Sequence, residues 1–189
     1  PPGGDPSEPV SQATLRIVKV FWGLSSDLAY RRHFPAIDWL TGYSLYSDSL
    51  SGYFDREIAP GWTAQVAEVR RILQEEADLQ EIVRLVGVDA LALKDRMTLE
   101  AARSIREDYL HQIAFDEVDT YTSPKKQYGM LKLILTWYHK GEEAVAAEVP
   151  FEQILTMPAV EKIGRPKRVP EDQWDAHYAA VAGELESQF

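Results

Sequence analysis

The chain contains no cysteine. That excludes disulfides, thiolate catalysis and zinc sites built on sulfur, and it suits a reducing compartment. No Gly-Lys pair occurs anywhere in the 189 residues, so the Gly-x-x-x-x-Gly-Lys-Ser/Thr loop that cradles phosphates is missing. Without that loop there is no place for Mg²⁺ beside a γ-phosphate, and this stretch alone is not expected to hydrolyse ATP. No apolar run approaches the ~18 residues of a membrane span, and no signal-peptide pattern is present. Positive charge is short as well. Twenty Lys and Arg stand against 30 Asp and Glu, a net charge of −10 that argues against binding nucleic acid through its phosphates.

What is present is enough for one full core, or for one domain and part of another: 45% of residues are hydrophobic and 26% charged. The opening "PPGGDPSEPVSQ" carries no initiator Met and no capped element, and reads as cut from a longer sequence. Residues 1–13 are expected to be loop. "TLRIVKVFW" (14–22) is β-branched and aromatic, the pattern of a nearly fully buried strand. Such a strand needs a sheet, and no partner is evident nearby. Left unpaired, it is expected to draw copies of the chain into self-association.

Ser25 and Asp27 cap a short helix that stops before Phe34-Pro35. Residues 39–46 read as aromatic and irregular, and a further helix covers 49–58. From Gly61 the period is helical, with Trp62, Val66, Val69, Leu73, Leu79, Ile82, Val83 and Val86 on one apolar face. Gln65, Glu68 and Arg71 fall largely off it, and Gly87 is a C-cap. A second helix runs to about His111, and 113–122 is a kinked link. Ser123 and Pro124 start a helix expected to stop at Gly141, and two proline-led helices begin near Pro150 and Pro170. The fold class is therefore mainly α: an antiparallel helical bundle preceded by a strand.

Chemistry-bearing groups are sparse. His33, His111, His139 and His177 show no metal-ligand spacing. Asp116, Glu117 and Asp119 could form an acid–base or cation site, or simply favour a helix start. Phe34 and Phe115 sit on breaks between elements, where a ring can be presented rather than buried, but periodicity cannot tell whether they meet. Two other readings stay open at this level. A stand-alone helical interaction module would bury both rings far apart. A small carboxylate enzyme would gather the three acids in a cleft with perturbed ionisation.

Several runs resemble the C-terminal part of the catalytic A subunit of V/A-type ATPases: "PPGGDPSEPVSQATLRIVKVFWGL", "AYRRHFPAIDWLTGYSLY", "LQEIVRLVGVDAL", "LEAARSIREDYLHQIAFDEVDTY" and "QYGMLKLIL". The likeness covers residues 1–140 and weakens beyond. It implies that residues 1–45 are the end of a nucleotide-binding domain and 46–189 a C-terminal helical domain, with the phosphate loop and catalytic groups elsewhere in the subunit. It implies that Phe34 stacks on adenine while Ala114 and Phe115, in Gln112-Ile113-Ala114-Phe115, cover the other side. Ile113 stands where Asn is common and makes the rim less polar. Arg31, Arg32 and His33 match a basic run to which the resemblance gives no role.

By likeness to the acidic loop of the related F-type β subunit, the link Asp89, Ala90, Leu91, Ala92, Leu93, Lys94 and Asp95 should meet the central stalk, and "GGDPSEP" should approach it. The implied ligands are ATP or ADP with Mg²⁺ in the whole subunit, none held tightly by this stretch. The implied partners are the non-catalytic B subunit, expected to lend an arginine, and the central stalk. The implied setting is the cytoplasmic face of a membrane, reached through a complex that couples ATP to H⁺ or Na⁺ transport.

Overall fold

The computed structural model describes residues 7–164 and 166–189. Most of the "GGDPSEP" loop lies outside them. In chain order the elements are α1 (Pro9–Leu15), β1 (Val20–Leu24), α2 (Ser26–Tyr30), β2 (Ile37–Ser44), α3 (Ser47–Glu57), α4 (Trp62–Val86), α5 (Leu93–Ser104), α6 (Pro124–Ala146), α7 (Phe151–Leu155), α8 (Pro158–Ile163) and α9 (Trp174–Gln188). A π-helical turn, Ile105–Leu110, prolongs α5, and short 3₁₀ turns fill several links.

Helices α4, α5 and α6 form the core, with Ile72, Met97, Ala101, Ile105, Leu133, Ile134 and Tyr138 at its centre. The mainly helical fold class agrees with the sequence reading. The N-terminal part does not. Residues 9–15 are a helix opened by Pro9 rather than loop. The strand begins only at Val20, its residues alternate between exposed and half-buried, and Ile17 before it is 77% exposed. It also has a partner. Val20 pairs with Ser44 and Leu24 with Ile37 in an antiparallel two-stranded sheet whose register shifts between Phe21 and Gly23. The residues read as irregular supply that second strand, so the unpaired strand behind the expected self-association is paired after all.

The sheet rests on α4 across an apolar recess of about 300 Å³ lined by Trp22, Ile37, Trp39, Val66, Val69 and Leu73. This packing places the end of β1, α2 and the turn after it beside the helical bundle.

Helix α4 differs from its expected face. Gln65 is buried because its amide donates to the Tyr128 carbonyl, and Glu76 because it pairs with Arg106. The distal positions Ile82, Leu85 and Val86 are exposed. Helix α5 is about half as long as α4, and its first buried residue is Met97, so the hairpin tip projects beyond the core. Gly87, with φ of 83°, ends α4 where a side chain would be strained. Gly141 does not end α6. It lies inside the helix, where Met97 approaches so closely that a Cβ would come within 2.5 Å of Met97 Cε.

Candidate nucleotide-base site and lever

Helix α2 closes with a 6→1 bond from the His33 N–H to the Leu28 carbonyl and a tighter one from the Arg32 N–H to Ala29. This is the Schellman pattern, with Arg32 (φ 58°) in the left-handed position usually held by glycine. The turn swings His33, Phe34 and Pro35 towards the end of the π-helical turn. There the Gln112 N–H donates to the Phe34 carbonyl at 2.7 Å. Residues 78 positions apart thus share a backbone hydrogen bond. The Phe34–Pro35 peptide is cis.

The second loop, residues 111–122, is built on its own acids. The Asp116 carboxylate accepts from the N–H groups of Val118 and Asp119, which hold its pKa below the usual value. The buried Asp119 carboxylate accepts from Ile113 N–H at 2.6 Å, and the Gln112 amide donates to the Asp119 and Thr120 carbonyls. These acids shape the loop rather than converge on a cleft, while Glu117 points to solvent. The carboxylate-enzyme reading loses its basis.

The loop so fixed presents Phe115 fully exposed, with Ala114 half-buried beside it, while Phe34 is 50% exposed. Two rings are therefore displayed from loops that are hydrogen-bonded together, the opposite of what an interaction module with buried rings requires. A cleft of about 400 Å³ adjoins the junction, lined by Pro35, Leu110, Gln112, Asp119, Tyr121 and Gln127; neither ring lines it. Arg31 and Arg32 are exposed. Among the described residues no group of three or more His, Asp or Glu could hold a metal ion.

His33 is half-buried between Trp39 and His111, its ring 5.1 Å from that of His111. Its Nε2 lies 3.0 Å from the Arg106 carbonyl. Arg106 in turn pairs with Glu76 on α4 at 2.9 Å. Burial raises the Glu76 pKa, opposed by Arg106. The Lys167 ammonium donates to the Glu107 and His111 carbonyls and so closes the end of the π-helical turn. Sequence reasoning missed this connection because 73 residues separate its first two members, and no local pattern joins them.

At the other end of α4 and α5, Asp89, Ala90, Ala92, Leu93 and Lys94 are exposed and Leu91 and Asp95 half-buried. With Ile82, Leu85, Val86 and Val88 they make an apolar tip larger than the seven-residue link.

The family described as the C-terminal domain of V and A type ATP synthase matches residues 51–155. The nucleotide-binding domain of the ATP synthase alpha/beta family matches residues 1–44. The V-type ATP synthase alpha chain of Acetivibrio thermocellus is 61% identical over the whole chain, and that of Clostridioides difficile 54%. The chain spans 32% of the length of each. The structure of the ATP synthase subunit NeqB from Nanoarcheaum equitans aligns with a TM-score of 0.62 at 21% identity, over 73% of this chain and 32% of that one, and so attests the fold alone. With residues 51–155, more than half its length, matched by the first of these families, the chain belongs to the family of C-terminal domains of V and A type ATP synthases.

Proposed function

We propose that this chain supplies the adenine-facing wall and the lever of the catalytic subunit of a rotary ATPase. In that reading Phe34 stacks on one face of adenine, and Ala114 and Phe115 cover the other. The phosphates, their Mg²⁺ and the bond-breaking chemistry belong to a phosphate-binding region outside this sequence, completed by an arginine from the neighbouring non-catalytic B subunit. Closing on the nucleotide swings the α4–α5 hairpin, a hinge movement with the helix pair as a rigid arm. Its tip, Asp89–Asp95 with the exposed Leu85 and Val86, meets the central stalk by packing and shape more than by charge. The complex so driven works at the cytoplasmic face of a membrane and couples ATP to H⁺ or Na⁺ movement.

The observation that carries this reading is the Gln112–Phe34 hydrogen bond, which joins the two loops whose rings are exposed. The test is steady-state ATP hydrolysis by the assembled rotary complex carrying Phe34→Ala or Phe115→Ala. Base stacking is worth about 1–3 kcal/mol, so each change should raise KM for ATP by about 5–150-fold. Unchanged KM in both variants would overturn the assignment.

A further inference from the structure

The junction between the two loops contains a side chain that base stacking does not use. A carbonyl oxygen can only accept, so in the 3.0 Å contact with the Arg106 carbonyl His33 Nε2 is the donor. Nδ1 lies further from its own neighbour, the Pro35 carbonyl, at 3.3 Å. The Arg106 carbonyl also accepts the His111 N–H at 2.9 Å, the i→i+5 bond that closes the π-helical turn. It is therefore the point where the Phe34 loop and that turn are joined.

The side chain of Arg106 reaches the other way. Its guanidinium pairs with Glu76, whose side chain is only 9% exposed, at the level where α4 leaves the core for its projecting half. A charge pair that buried anchors both partners, because removing either one strands the other. One residue thus holds the Phe34 loop by its main chain and α4 by its side chain.

We infer that His33 is a positioning residue that ties the Phe34 loop to the root of the lever through Arg106 and Glu76, so that base occupancy and hairpin position change together. This rests on the adenine-and-lever reading above. Phe34 has one main-chain tie to the second loop, through its carbonyl, and its ring is half-exposed. The residue before it therefore decides whether movement of the ring is passed on.

The experiment compares His33→Ala, His33→Gln, Glu76→Gln and the double variant His33→Ala/Glu76→Gln in the assembled rotary complex, reading kcat and KM for ATP separately. His33→Ala should lower kcat about tenfold while KM stays within about threefold, as expected when positioning rather than binding is lost. His33→Gln keeps an N–H near the Nε2 position and should recover most of the loss. The double variant should be no worse than its weaker single parent, because both changes cut one connection. Wild-type kcat in His33→Ala, a Gln variant no better than Ala, or losses that simply add would overturn the proposal. Should the alanine variant fail to assemble, His33→Gln is compared with His33→Asn, whose amide is too short to reach Arg106. Gln above Asn supports the connection, and equality refutes it. Failure of the underlying reading appears elsewhere, as an unchanged KM in Phe34→Ala.

Discussion

His111 lies between the His33 ring and Lys167, and burial, reinforced by these two neighbours, pushes its pKa below 6.5. Asp119 and Glu107 oppose the shift. With the folded value below the unfolded one, the unfolded chain takes up this proton first as pH falls. The contribution to stability is complete above pH 6.5 and is lost as pH drops through the folded value. His111→Gln should therefore flatten the decline of Tm with acidification below pH 6.5, which thermal melts at several pH values would show. An equal or steeper decline would contradict the sign. Among the described residues two that are not glycine lie in the left-handed region. Arg32 and Glu148 each occupy the C′ position of a Schellman turn, and in the second the Val149 N–H reaches back to Ala144.

Among the elements, α5 and α6 cross where Gly141 meets Met97, a residue with no exposed surface. Alanine there would gain about 1 kcal/mol of helix propensity, yet its Cβ would overlap the Met97 thioether. Overpacking of that kind costs about 1–3 kcal/mol, so Gly141→Ala should lower the denaturation midpoint. A raised midpoint would mean that Met97 has room to turn aside. Helix α4 combines two environments: up to Glu76 it is core, and beyond it carries Ile82, Leu85 and Val86 into solvent. Because the tip projects past the end of the core, a single amphipathic stripe ends as exposed apolar surface.

For the whole molecule, affinity follows from what it lacks. Stacking on one base supplies about 1–3 kcal/mol. Millimolar binding already needs about 4 kcal/mol after association entropy has been met. ATP titrated into this chain alone should therefore shift the Phe34 and Phe115 resonances only weakly up to millimolar concentration. Micromolar binding would mean that the chain holds a complete nucleotide site and that the half-site account is wrong.

The helical body was legible in the chain alone. The 3.6 period after Gly61, the Ser123-Pro124 start and the Gly87 cap are local signals, and Ser123 Oγ does accept from the Lys126 N–H as a cap should. The sequence also bore the resemblance to the family, and it marked Phe34 and Phe115 as rings at breaks between elements. Tertiary structure decided what those signals leave free. Residues 37–44 became a strand because β1 offered its backbone, and Gly141 stayed helical because a neighbouring Met filled the space beside it. Gln65 and Glu76 were buried because their partners, Tyr128 and Arg106, come from other helices. The meeting of Phe34 with Gln112, and of His33 with Arg106, is of the same kind. A hydrogen bond between residues more than 70 positions apart depends on how the intervening helices pack, and no local pattern in the chain encodes that packing.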